Sequence, residues 1–556
     1  MSHPSTALFD KHRQLLDQAV QAVTERSHWT PYAEVPSPKT YGDAATETGR
    51  SAFSAYLGKP FPLQQTGCTR QLGAERSPWG PTLGITYPAG DPDVLLASAQ
   101  EARVAWERAG ARARTGVLLE ALSRLHKRSF EIAHAVMMTT GQGWMMAFQA
   151  GGPHAQDRAL EAIAWAWREQ SAVPTETVWE KPQGRGEPLR MRKNYEIVGR
   201  GVALVIGCAT FPTWNTYPGL FAALATGNPV LVKPHDNAIL PAAITVAVLR
   251  EVLAESGFDP HVAQLAVTAR PEDTRYLATH EAVATVDFTG SSQFGQWLLE
   301  NCKQAQVYAE LSGVNHVVIE STGAYRAMLK NLAFSLSLYS GQMCTTPQAI
   351  IVPSEGISTD EGPKSFQQVS EDLGQAIAEF VGDPKIAQSV LGAIQSDATL
   401  RRIEEAPRLA EVVLPSRAVE HPDFPRARVH TPVLLRCDAD NETAYMQERF
   451  GPITFVVKAQ SAAAAIALAG RLAREHGALT AGLYSTRQEV VDAMVESSLR
   501  SNVALSINLT EGVFLNQSAA FSDYHGTGGN PAANASFADA AFVASRFRVV
   551  QRRSHV

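Results

Sequence analysis

Residues 202–234 read VALVIGCATFPTWNTYPGLFAALATGNPVLVKP. The β-branched run VALVIG is of strand length, LFAALATG has the composition of a helix, and PVLVKP is a second short apolar run. A strand, a helix and a strand in close succession make a βαβ unit, and near-continuous apolar strands imply a parallel sheet covered on both faces. The pattern repeats downstream, with a helix in LPAAITVAVLREVLAESG followed by the strand-like VAQLAV and VATVDFTG. A second series begins near Asn315, where HVVIE, AIIVP, TFVVKA and VALSIN alternate with helical stretches. Two α/β units are therefore expected in one chain.

Upstream the character changes. Residues 92–168 are Ala-rich and helical in pattern, and residues 177–199 alternate around a GRGE turn as a hairpin would. Residues 28–90, rich in Pro, Gly, Tyr and Thr, are assigned no regular structure and read as a segment wrapped over a domain. A helix is expected over roughly Ser5 to Glu25. At 556 residues the chain exceeds the ~250–300 at which a single core stops growing.

Lys and Arg number 49 against 55 Asp and Glu, a net charge of −6, which offers no general attraction for nucleic acid or anionic lipid. No apolar run reaches the ~18 residues of a membrane span. The start, Met1, Ser2, His3, Pro4, lacks the basic and apolar regions of a signal peptide, so a cytoplasmic location is the expectation. The five cysteines include no CxxC pair, which suggests neither a disulfide framework nor a metal centre.

Several residues invite a chemical reading. Cys344, in YSGQMCTTPQ, sits in a turn before the strand AIIVP, where a thiol is exposed to reactants and its pKa can fall beside cations or backbone N–H groups. Glu310 ends the strand-like QVYAE before a Ser-Gly turn, where partial desolvation would raise its pKa and suit it to general-base work. Asn215 lies in the turn after VALVIG and carries an amide that can donate to an oxyanion. The turn FTGSSQFG precedes a helix, a setting in which Gly290, Ser291 and Gly295 would receive phosphate. Lys233 and Asp236 follow PVLV, where a doubly wound sheet places its ligand. Taken singly, each has an ordinary explanation: a buried inert cysteine, a surface glutamate, a loop with solvated charges.

Their order along the chain changes that assessment. Over residues 90–552 the sequence resembles the aldehyde dehydrogenase superfamily. Trp214-Asn215 stand in its oxyanion motif, and Lys233-Pro234-His235-Asp236 resemble its ribose-binding motif with Asp in place of Glu. Glu310-Leu311-Ser312-Gly313 resemble Glu-Leu-Gly-Gly, Gly341-Gln342-Met343-Cys344 match the nucleophile motif, and the two key residues are 34 positions apart. Glu448-Arg449-Phe450-Gly451-Pro452 resemble Glu-Ile-Phe-Gly-Pro, and Phe521 to Gly528 occupy the place of a looser C-terminal motif.

The resemblance implies an α/β aldehyde dehydrogenase-like fold: a Rossmann-like cofactor domain, a catalytic α/β domain and a small oligomerisation hairpin. The implied boundaries are an N-terminal extension over 1–90, a cofactor domain over 91–313 that carries the hairpin, and a catalytic domain over 314–500. Residues 501–556 would return to the cofactor domain and end in an oligomerisation strand containing FRVVQ. Cys344 would attack an aldehyde, Asn215 would hold the oxyanion, and Glu310 would activate the water that releases an acid. Lys233, Asp236, Gly290, Ser291, Gly295, Glu448, Phe450 and Trp214 would hold NAD or NADP, and Leu220, Ala223, Met343 and Phe521 would line the aldehyde tunnel. No metal is implied. The N-terminal segment and motif variants look most like the aldehyde dehydrogenase branch of phenylacetate degradation, which implies a semialdehyde carried on a coenzyme A thioester, favours NADP, and suggests a homodimer or homotetramer. Two alternatives stay open: a coenzyme A-acylating dehydrogenase, which commonly lacks such a glutamate, and a non-catalytic cofactor-binding protein.

Overall fold

The computed structural model describes residues 4–73 and 75–556; Met1–His3, part of the start examined for a signal peptide, lie outside them. Two parallel sheets organise the chain. The first has five strands, β1 (Val202–Ile206), β2 (Val230–Lys233), β3 (Ala263–Leu265), β4 (Val283–Thr289) and β5 (Gln306–Glu310), in the order β3-β2-β1-β4-β5. All neighbours are parallel. Alternate residues of β1 serve opposite faces. Ala203 and Val205 pack with the helices Thr216–Ala225 and Leu240–Glu255, whereas Val202, Leu204 and Ile206 pack with Leu95, Leu96, Leu277 and Leu298. A strand buried on both sides must be apolar throughout, which is why VALVIG shows no polar alternation.

The second sheet contains β6 (His316–Ile319), β7 (Ala349–Pro353), β8 (Glu411–Leu414), β9 (Val433–Asp438), β10 (Ile453–Ala459), β11 (Thr480–Tyr484) and β12 (Ala504–Ile507), in the order β8-β9-β10-β7-β6-β11-β12. Only the edge strand β8 runs antiparallel to its neighbour. Val318, Ile351 and Val457 face Leu468 and Leu472, while Val317, Ile350 and Val456 face Met328, Leu332 and Val369.

Three antiparallel strands form a separate ribbon. Glu176–Gln183 and Gly186–Gly199 make the hairpin, and Phe547–His555 pairs with its second strand. The C-terminal stretch is anchored just before that ribbon by Arg546. Its guanidinium makes two bonds of 2.8 and 2.6 Å to Asp287 of β4, lies between the rings of Tyr308 and Phe542, and is fully buried.

The N-terminal region is more regular than its composition suggests. Helices Pro4–Lys11 and Arg13–Glu25 place Phe9, Leu16, Ala19 and Val23 in the main core. Residues 28–90, expected to lack regular structure, contain a ten-residue helix, Ala45–Ser54, and paired strands Cys68–Leu72 and Tyr87–Gly90. The helix was hidden because Thr and Gly interrupt its pattern, and Phe53 is held by tertiary packing that local propensity does not report. From the same segment, Glu75 accepts the backbone N–H groups of Ile239 and Leu240 at the start of the helix Leu240–Glu255, satisfying donors that a helix leaves open. No described helix is long and apolar enough to cross a membrane.

Candidate active site

A cleft of about 650 Å³ opens at the carboxyl ends of β1, β2 and β4. In the order β3-β2-β1-β4-β5 the chain reverses direction across the sheet between β1 and β4, which is where doubly wound sheets bind ligands. Gly207 and Cys208 follow β1, Lys233 ends β2, and Gly290 and Ser291 follow β4, all on the cleft wall. Opposite them stand Gln342, Cys344, Glu448 and Phe450 from the second α/β unit.

The backbone fixes the nucleophile loop tightly. After the helix Tyr325–Ser337, Tyr339, Ser340 and Gly341 take φ values of 54°, 49° and 64°, a left-handed run costly for side chains with a Cβ. At Gly341 a Cβ would lie 2.4 Å from the Gly451 carbonyl oxygen, so glycine lets the Cys344 loop meet the Glu448–Pro452 loop. Asn315 ties the other side: its Nδ2 donates to the carbonyls of Cys344 and Thr346 at 2.7 and 3.1 Å, while its Oδ1 accepts from Leu479 and Thr480 N–H at the start of β11. Gln348 reaches the carbonyls of Tyr445 and Gln447, each at 2.8 Å, and accepts the Arg449 N–H. Cys344 and Glu448 are thus held by one amide-rich framework.

Glu310, at the end of β5, is buried against three donor groups. Its Oε2 accepts from Asn215 Nδ2 at 3.3 Å and pairs with His525 Nε2 at 3.0 Å. Oε1 has no conventional hydrogen-bond partner among the described residues. Donor atoms of Glu310, Cys344 and His525 all lie within 4.8 Å of one another, which sets the carboxylate beside the thiol. Burial pushes this carboxyl up, but His525, the Cys344 thiol and Arg158 together outweigh it and hold Glu310 below the ordinary carboxylate value. The raised pKa expected from burial alone is therefore corrected: the carboxylate is buried, but not alone.

The thiol shows the opposite balance. Burial and then the adjacent Glu310 carboxylate push Cys344 well above the ordinary thiol value, with Cys208 and Glu448 adding to the effect. The expected lowering is absent because burial and the carboxylate of Glu310 outweigh any cation beside the sulfur. In this arrangement the S–H is protonated with a carboxylate at hand to take its proton. Glu448, partly open to the cleft, is pushed up to about 7 by desolvation, against the opposing effect of Ser312, Gly313 and Arg402.

A model of the aldehyde dehydrogenase family matches residues 87–519. The chain belongs to the aldehyde dehydrogenase family. Among solved structures, an NAD-dependent aldehyde dehydrogenase from Burkholderia multivorans is 54% identical, with a TM-score of 0.98 and complete coverage of both chains. A 1-pyrroline-5-carboxylate dehydrogenase from Thermus with bound NAD shares the fold at 18% identity, with a TM-score of 0.75 over 95% of this chain and 99% of that one. Among curated proteins, the 1-pyrroline-5-carboxylate dehydrogenase of Bacillus subtilis is 22% identical over 78% of this chain and 81% of its own length, and the vanillin dehydrogenase of Corynebacterium glutamicum is 25% identical over 68% and 74%.

In this aldehyde dehydrogenase the residues singled out in the sequence divide into three groups. Asn215, Glu310, Cys344, Lys233, Asp236, Gly290, Ser291, Glu448 and Phe450 share the cleft. Trp214 does not line it; the ring lies edge-on to His525 at 4.6 Å and beneath Arg158, in a smaller cavity on the far side of Asn215 and Glu310. Gly295 also stays outside: its missing Cβ admits Leu311, whose Cδ2 would stand 2.0 Å from it. The expected tunnel is the largest correction. Leu220 and Ala223 are wholly buried in the core, and Phe521 is sealed against Trp29 of the N-terminal region. Of the four, Met343 alone is partly exposed, with its sulfur 4.0 Å from Asn516 Nδ2.

The structure adds residues with no expected role. His525 touches Glu310 directly, Asn315 and Gln348 brace the two catalytic-side loops, and Cys208 on the cleft wall lies 3.4 Å from Asn215 Oδ1. An Asn or Gln at a strand end is not distinctive in sequence; only the convergence of chain segments reveals its carbonyl partners.

Proposed function

We propose that this aldehyde dehydrogenase oxidises an aldehyde to a carboxylic acid with a nicotinamide cofactor, through a thioester on Cys344. The observation that carries this reading is the Glu310 carboxylate, ionised, held through Oε2 by Asn215 and His525 and lying beside the Cys344 thiol.

The cleft suits a dinucleotide in size and donor chemistry. Its volume lies within the range of small-molecule sites. Ser291 caps the helix Ser292–Asn301 by accepting the Phe294 N–H, and a helix N-terminus favours a phosphate. Lys233, bonded to Asp236 at 2.9 Å, stands where an adenosine ribose would lie, and Glu448 stands nearer Cys344, where a nicotinamide ribose would. With Lys233 paired to Asp236, a 2′-phosphate would gain little there, which favours NAD over the NADP expected from the sequence resemblance. The Burkholderia protein is itself described as NAD-dependent.

Glu310 would take the thiol proton as Cys344 adds to the aldehyde carbon, and Asn215 Nδ2 would donate to the developing oxyanion. The bound cofactor supplies one step, removal of a hydride from the carbon attached to sulfur. Cys344 then carries a thioester. Once Glu310 has passed the thiol proton to solvent, it removes a proton from water, the water oxygen attacks the thioester carbonyl, the carbon–sulfur bond breaks to release the acid, and Glu310 returns its new proton to the departing thiolate.

For the natural substrate we propose a semialdehyde linked to coenzyme A, the class suggested by likeness to the phenylacetate branch. The exposed apolar residues Val178, Leu189, Val549 and Val550 on the three-stranded ribbon suit pairing with a second copy, as a homodimer or homotetramer would require. The test of function is an aldehyde panel with NAD or NADP, with and without coenzyme A. Free acid and reduced cofactor formed without coenzyme A support the hydrolytic reading; an absolute requirement for coenzyme A would replace it with acyl transfer.

A further inference from the structure

His525 approaches Glu310 from a loop outside both sheets. The pair is buried, with Nε2 3.0 Å from Oε2. An ionised carboxylate can only accept, so His525 presents Nε2–H to it. Asn215 donates to the same oxygen at 3.3 Å. One carboxylate oxygen is therefore anchored twice, the other has no hydrogen-bond partner among the described residues, and the carboxylate lies beside the thiol.

The loop that carries His525 is tied to the N-terminal region. Arg26, the left-handed residue closing the helix Arg13–Glu25, donates to the carbonyls of Ala538 at 2.7 Å and Phe521 at 3.4 Å and lies 4.0 Å from the Tyr524 ring centre. Trp29 packs edge-on to Phe521, which has φ +67° and whose N–H is accepted by the buried Glu161. Arg158 donates to the carbonyl of Asp523, and Phe537 N–H closes onto the carbonyl of His525 itself. Phe521 holds an uncommon backbone conformation, and uncommon conformations persist only where the surroundings over-determine them.

We propose that His525 is a positioning residue for the water-activating step, and that the N-terminal region, through Arg26 and Trp29, holds the loop that presents it to Glu310. The proposal rests on the hydrolytic reading of Cys344 and Glu310. Without the His525 donor, the carboxylate would keep Asn215 as its one partner on Oε2 and be free to turn away from the thioester. The N-terminal helices thereby acquire a role in the chemistry although none of their described side chains lines the cleft.

The charged and titratable groups facing Glu310 are His525, Cys344, Arg158, Cys208 and Glu448. His525 and the thiol both favour the ionised form, so the rate at which iodoacetamide alkylates Cys344 reports on Glu310 without aldehyde or cofactor. Peptide mass spectrometry at Cys344 would be followed against pH for the full-length wild type, His525→Leu, His525→Gln and Arg26→Gln. In His525→Leu the limb of the profile governed by Glu310 should move up by about one pH unit or more, because burial is then less opposed. His525→Gln, which keeps an N–H donor, should recover part of the shift, and Arg26→Gln should move the limb in the same direction by less. In rapid-mixing turnover, His525→Leu should keep the first burst of reduced cofactor and slow the steady state by about tenfold or more. Unchanged alkylation and steady-state rates in His525→Leu would overturn the proposal, as would a loss in the burst alone. If wild type gives no turnover with any aldehyde, the functional reading fails, while the alkylation profile still decides the role of His525.

Discussion

Arg546→Met tests how the C-terminal chain is locked to the cofactor-side sheet. Arg546 is fully buried, and its two bonds of 2.8 and 2.6 Å go to Asp287, itself 5% exposed, three residues before Gly290. Replacing the arginine leaves a carboxylate in a site built for a pair, and breaking one side of a buried pair costs about 3–5 kcal/mol. The guanidinium also lies 4.1 and 4.2 Å from the ring centres of Tyr308 and Phe542, so packing is lost with the charge. Urea unfolding followed by tryptophan fluorescence should show an earlier first transition in Arg546→Met. The double variant Asp287→Leu/Arg546→Met should recover at least half of the loss, because it removes the stranded charge. A cost below about 1 kcal/mol for Arg546→Met, or a double variant less stable than the single one, would refute the argument that an unpaired Asp287 is the damage.

Two further outcomes follow from the site. Gly341→Ala should fold but lose at least about 100-fold in kcat/KM, since its Cβ would meet the Gly451 carbonyl and displace both loops by fractions of an ångström; wild-type kinetics would contradict the close approach. Glu448 is pushed up to about 7, so it is protonated below that pH and ionised above it. NAD affinity measured by calorimetry should therefore strengthen from about pH 6 to about pH 8 as the carboxylate becomes able to accept from ribose hydroxyls, and Glu448→Gln should flatten the dependence.

The parts of the protein legible in its sequence are those set by local chemistry. VALVIG and PVLV had to be buried parallel strands because nothing polar interrupts them, and Gly341 announced a turn before Cys344. Strand β9 (Val433–Asp438) was missed because Arg436 and Asp438 break its apolar run, although β10 covers its length. The tunnel was misplaced for a similar reason. Sequence position puts Leu220 and Ala223 just after Asn215, but the helices before the first sheet close over that face. The direction of the Glu310 shift depends on His525, 215 positions away, and no local pattern carries that contact.

The most direct test of the chemistry is to trap the thioester. Glu310→Gln would be mixed with aldehyde and NAD, quenched in acid, and examined by peptide mass spectrometry beside wild type and Cys344→Ala. An acyl adduct confined to Cys344, abundant in Glu310→Gln, scarce in wild type and absent in Cys344→Ala, is the predicted result. Reduced cofactor formed by Cys344→Ala at the wild-type rate, or rapid acid release by Glu310→Gln, would contradict the assignment of nucleophile and base.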